Sequence, residues 1–189
     1  MTSTDSNRSD PAARAAGVSL VLTVVCPDRP GVIDGISALV AARHGNWEES
    51  RMVRLGGMFA GIARVTVPAA ASALLAADLA ALEYDGIAVS VLECSPAASQ
   101  VGHRAMLLHV QGADHEGIVH AIAGFLAGRG VNVEDLATDV VNAPLSGGPL
   151  FTATARLRCP PSVAPAELRS GLDDLGRRLG FDVSLSDDV

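Results

Sequence analysis

Asp28-Arg29-Pro30-Gly31-Val32-Ile33 returns 86 residues later as Asp114-His115-Glu116-Gly117-Ile118-Val119. The residues that follow return in step. Ile36, Leu39, Val40, Arg43, Asn46 and Glu48 stand against Ile122, Phe125, Leu126, Arg129, Asn132 and Glu134 at the same spacing. One chain therefore carries two copies of one structural unit. Both copies place an acidic residue and a glycine where an apolar run hands over to a helical pattern. The free N–H groups at such a junction favour a small anion, so the repeat bears on function as well as fold.

Working outward in the first copy, Val18 to Cys26 is apolar and rich in β-branched residues, and it reads as a strand ending at Pro27. Asp28 is placed as a helix N-cap, with Pro30 in the first turn. Val32, Ile33, Ile36, Leu39 and Val40 recur at helical spacing. The helix is expected to stop at Gly45, with Arg43 and His44 in its last turn. Trp47 to Leu55 reads as a second strand, Gly56-Gly57 as a tight hairpin turn, and Met58 to Val67 as a third strand ended by Pro68. Leu75, Leu79 and Leu82 mark a second helix, and Ile87 to Glu93 a last strand.

The second copy repeats this order. Strands are expected over Arg104 to Gly112, Asn132 to Val141, Leu150 to Arg158 and Phe181 to Leu185. Helices are expected over Gly117 to Arg129 and around Leu168, Leu172, Leu175 and Leu179. Phe151, Ala153, Ala155 and Leu157 alternate with Thr152, Thr154, Arg156 and Arg158, so one face of that strand is buried and the other meets water. The matching strand of the first copy carries Met58, Ala60 and Ile62 on its second face, as if a partner covered it. The second hairpin is longer, its extra residues lying within Asn142 to Pro149.

The expected fold is α+β: two ferredoxin-like β-α-β-β-α-β units, each an antiparallel sheet with its helices on one face. The organisation reads as an N-terminal arm over 1–16, a first domain over 17–95, a linker over 96–103 and a second domain over 104–189. The arm is rich in Ser, Asp, Arg and Ala with no apolar run, which suits disorder and not a secretory signal.

Composition narrows the function. Of 189 residues, 49% are apolar but only 3% aromatic, so the cores must be built from Val, Leu, Ile and Ala. The longest uncharged apolar stretch, Val65 to Ala77, is broken by Pro68 and falls short of the ~20 residues a bilayer needs, so no membrane association is expected. Net charge is −7, and the basic residues, all Arg, are scattered. No basic stripe exists for direct nucleic-acid binding. Cys26, Cys94 and Cys159 are odd in number and far apart, which suits a reduced, cytoplasmic protein. Cys26 has no evident base beside it and reads as a small buried hydrophobe. His115 and His120 do not share a helix face, so no metal is expected. His115, in the loop, is a candidate for ligand contact or pH response. No cofactor and no catalytic constellation is expected.

Cys26-Pro-Asp-Arg-Pro-Gly31, then Gly45-Asn46-Trp-Glu-Glu-Ser50, resembles the ACT domain, a small regulatory module of amino-acid metabolism. The second copy fits through Gly130-Val-Asn-Val-Glu-Asp135. The tandem pair, with Asn46-Trp-Glu-Glu-Ser-Arg51 as the closest local match, resembles the glycine cleavage system transcriptional repressor family. The resemblance implies a non-enzymatic regulator that senses an amino acid or related small molecule and signals by protein contact, in transcriptional control of glycine cleavage. It implies an amino-acid effector, a protein partner such as a transcription factor, and a homodimer. The contrasting reading is a structural or interaction module with a vestigial ligand site.

By the same resemblance the effector sits at an interface between units, against the first strand-to-helix loop. The residues this carries over are Asp28, Arg29, Pro30, Gly31, Val32 and Asn46, with Asp114, His115, Glu116, Gly117, Ile118 and Asn132. The chemistry fits: helix-start N–H groups take a carboxylate, Asp28 or Asp114 pairs an ammonium, and Asn offers donor and acceptor. Plainer roles stand beside these. The Asp residues serve as N-caps worth ~1 kcal/mol each, the Gly residues serve helix–sheet packing, and the Asn residues terminate helices. His115-Glu116 in place of Arg29-Pro30 is a departure between the copies.

Overall fold

A computed structural model describes residues 17–94, 102–142 and 148–188. The expected arm, most of the linker and most of the long second hairpin loop lie outside these residues. The chain divides into two compact units, residues 1–98 and 99–189.

The first unit runs β1 (Gly17–Pro27), α1 (Val32–Ala42), β2 (Asn46–Leu55), β3 (Met58–Pro68), α2 (Ser72–Ala81) and β4 (Ala88–Glu93). The second runs β5 (Arg104–Ala113), α3 (Ile118–Ala127), β6 (Asn132–Asn142), β7 (Pro149–Cys159), α4 (Pro165–Leu179) and β8 (Phe181–Asp187). The sheet orders are β2-β3-β1-β4 and β6-β7-β5-β8, every pairing antiparallel. This is the ferredoxin-like arrangement, twice. Gly56 and Gly57 turn the first hairpin with φ of 58° and 80°, the left-handed pair that such a two-residue turn requires.

Alternation along the central strands builds each core. Leu20, Leu22, Val24 and Cys26 of β1 and Ala63, Val65 and Val67 of β3 meet Val32, Ile36 and Val40 of α1 and Leu75 and Leu79 of α2. In the second unit, Met106, Leu108 and Val110 of β5 and Ala153, Ala155 and Leu157 of β7 meet Ile118, Ile122 and Leu126 of α3 and Leu168 and Leu172 of α4. Each buried Leu or Ile contributes about 1.5–3 kcal/mol over leaving it in water. On the opposite face of the first sheet, Met58 and Ile62 stand exposed, whereas Thr154 and Arg156 occupy that face in the second.

The edge strands share a further feature. Pairing of β2 with β3 slips between Trp47 and Glu49, and pairing of β6 with β7 slips between Val133 and Asp135. The bulged residues, Glu48 and Glu134, are repeat mates. Glu48 accepts from Thr66 Oγ1 at 2.6 Å and pairs with Arg64, also at 2.6 Å. Glu134 takes both nitrogens of Arg158, at 2.8 and 3.1 Å.

Two local expectations are corrected. Asp28 is not the N-cap of α1. Gly31 is, at φ 90°, and Gly117 caps α3 at φ 88°. A left-handed cap demands glycine, so the acidic residue sits three positions earlier, free to point elsewhere. Nor does α1 reach Gly45: it ends at Ala42, and His44 takes the left-handed position at φ 57°, as Gly130 does after α3. Arg43 turns aside to Asp78 of α2, Nε to Oδ2 at 2.7 Å, and so ties the two helices together.

Candidate functional site

The loop between β1 and α1 is fixed at both ends. The Asp28 N–H donates to Gly57 O at 3.0 Å, which holds the loop against the hairpin turn. Arg29 donates through a terminal nitrogen to Asp85 O at 2.7 Å, which holds it to the turn before β4. The second unit reproduces both ties with different residues. The Asp114 N–H donates to Pro149 O at 3.0 Å, and His115 donates through Nε2 to Leu179 O at 2.8 Å. In each case the accepting carbonyl directly precedes a left-handed glycine, Gly86 or Gly180. The departure at His115 thus keeps a side-chain donor, now a titratable one, on the last carbonyls of the second helical segment, where the backbone dipole favours positive charge.

His115 is held more tightly than Arg29. Its Nδ1 also faces Glu116 O, at 2.9 Å. The two carbonyl bonds, first that to Glu116 and then that to Leu179, with the nearby Asp114 charge, raise the imidazole's pKa above its ordinary value.

Where the copies differ is at the carboxylate. Asp28 Oδ2 lies 2.5 Å from Arg54 Nε on β2. Val140 of β6 is the repeat mate of Arg54, and Asp114 is in no ion pair among the described residues. A cleft of about 550 Å³ opens here, lined by Asp114, His115, Gly117, Val119, Val140 and Phe151 among others. A deeper apolar groove continues from Val119, Ala123 and Phe151 toward Leu136 and Thr138.

The sequence-expected residues therefore separate into groups. Asp114, His115, Gly117 and Ile118 line one cleft. Val32 and Ile118 turn their side chains into the cores, 4% and 2% exposed, and leave only backbone for a ligand. Arg29 is engaged with Asp85 O, and Pro30 and Glu116 are exposed in the loops. Asn46 and Asn132 begin β2 and β6, paired with Thr66 and Arg158. The far end of β2, at Leu55, is about 30 Å away at ~3.3 Å per residue. The two Asn residues therefore do not line the loops of their own units. Val119, His120, Ala123, Val140 and Phe151 complete the cleft and escape motif reading. The signal that exposes Val140 is its alignment against Arg54.

The sequence profile of the ACT domain matches residues 19–89. A solved structure of an unknown protein from Galdieria sulphuraria is 31% identical to this chain, covers 92% of it and 99% of its own length, and superposes with a TM-score of 0.82. A second solved protein, with the provisional designation of glycine cleavage system transcriptional repressor, is 19% identical with a TM-score of 0.66, covering 91% of this chain and 99% of its own. It shares the fold. No curated protein matches the chain.

Proposed function

We propose that this chain, whose residues 19–89 match the ACT-domain profile, is a non-enzymatic regulatory protein that senses an amino acid through the strand-to-helix loops and signals by protein contact. The observation that carries this reading is the cleft at Asp114–Gly117, where a carboxylate with no ion-pair partner among the described residues, helix-start N–H groups and an apolar wall converge. These are the complements of an ammonium, a carboxylate and a side chain.

The output is transcriptional, through a protein partner and without direct DNA binding. Net charge −7 and scattered Arg residues favour a protein intermediary, because non-specific DNA affinity comes mainly from phosphate neutralisation. Edge strands β2, β4, β6 and β8 offer unpaired backbone to a second copy or to a partner. Control of glycine cleavage is the pathway suggested by the provisional designation of the second solved relative.

Thermal-shift measurement across a panel of amino acids tests the sensing role, since a bound ligand stabilises the native state in proportion to its concentration over Kd. At least one amino acid is expected to raise Tm at millimolar concentration. Silence across the panel, or a specific nanomolar complex of the protein alone with promoter DNA, overturns the proposal.

A further inference from the structure

We infer that the two repeats are not equivalent sensors: the second unit alone offers a competent site, and that site selects an α-amino acid with an aliphatic side chain. The inference rests on the sensing role proposed above, and it follows from three differences between repeat mates.

The first difference is electrostatic. An incoming ammonium needs a free carboxylate. Asp28 is already paired with Arg54, 2.5 Å away, and an ammonium approaching it must displace a guanidinium from a covalently tethered strand. The equivalent position beside Asp114 is Val140, which neither competes for the carboxylate nor repels the ligand.

The second difference is space. In the first unit Met52 lies directly over Gly61: a Cβ built on Gly61 would fall 2.3 Å from the Met52 sulfur. The mates in the second unit are Thr138 and Ala153, also paired across the strands. Thr138 is shorter and lines an open apolar groove beside α3, whereas Met52 packs against the first core.

The third difference is the wall. Val119, Ala123, Val140 and Phe151 surround the cleft with apolar surface next to Asp114. A ligand whose ammonium meets Asp114 and whose carboxylate meets the backbone at Gly117–Val119 lays its side chain on that wall. Glycine leaves the wall in water, and an acidic side chain is desolvated there without a partner. Aliphatic side chains gain from it.

Titration calorimetry of the full chain with L-leucine, glycine and 4-methylpentanoate tests this. L-leucine is expected to bind one molecule per chain, roughly 10-fold or more tighter than glycine. The deaminated 4-methylpentanoate, which has no ammonium for Asp114, is expected not to bind. Val140→Arg, which installs the counter-ion of the first unit at an exposed strand position, should weaken L-leucine by about 10-fold or more. The reciprocal double variant Arg54→Val/Met52→Thr should add a second site. Two L-leucine sites in the unmodified chain, unchanged affinity in Val140→Arg, or a preference for glycine would overturn the inference while leaving the sensing role intact. No binding of any amino acid would overturn both.

Discussion

The imidazole of His115 donates through Nε2 to the carbonyl oxygen of Leu179 at 2.8 Å, fastening the loop after β5 to the last residue of α4. Arg29 does the same for Asp85 in the first unit. One copy thus makes the tie with a permanent cation and the other with a titratable one. Both acceptors facing His115 are carbonyl oxygens, so the doubly protonated imidazolium satisfies both, whereas a neutral ring can donate to only one.

A pH dependence follows. The folded-state pKa of His115 is raised above its ordinary 6.5, chiefly by the Glu116 and Leu179 carbonyls. The stabilisation is therefore fully present below the unfolded value and is lost as pH rises through the folded value. The Tm advantage of the native chain over His115→Gln is expected to be largest at acidic pH, below the unfolded value, and to shrink as pH rises through the folded value. An advantage that grows with pH would contradict the clasp.

The glycine caps make a second prediction. Gly31 and Gly117 hold φ of 90° and 88°, and an added Cβ would meet no atom within 4 Å at either. Alanine is strained there by backbone conformation alone, at a cost of roughly 1–2 kcal/mol. Urea denaturation should show similar losses for Gly31→Ala and Gly117→Ala, and calorimetry should show weakened L-leucine binding only for Gly117→Ala. Equal binding losses from both would mean that the first unit also holds ligand.

The two cores have no residue in common. Leu79→Ala and Leu172→Ala each remove a fully buried side chain, at an expected cost of about 2–5 kcal/mol. Amide exchange should quicken within residues 17–94 for the first variant and within 102–188 for the second. Uniform quickening through both units after either change would show that the cores unfold as one.

Thiol chemistry separates the three cysteines. Cys26 and Cys159 are buried, and burial pushes the Cys159 thiol above its ordinary pKa. Cys94 is half-exposed, its sulfur 3.3 Å from Ser19 Oγ. A mild alkylating agent should label Cys94 first in the native chain and reach the others only on unfolding. Labelling of Cys26 as fast as Cys94 would point to an accessible, activated thiol.

Element order and the duplication were legible in the chain because apolar periodicity is a local property: β1, α1, β3 and their mates carry it within a dozen residues. The glycines at 31 and 117 were also visible, but not their task. Asp28 is an equally acceptable cap by residue type, and only backbone geometry shows Gly31 in that position. Tertiary structure alone decided the rest. Asn46 shares a motif with Asp28, yet the run of α1 carries it to the opposite end of the sheet. Arg54 lies 26 residues from Asp28, and the antiparallel register of β2 on β3 brings them into an ion pair. The same register places Val140 beside Asp114. Ion pairing and cavity shape depend on which strands neighbour one another and on where their bulges fall. Neither is encoded in any short window of sequence, and so the difference between two copies of nearly the same motif emerges only when each is folded.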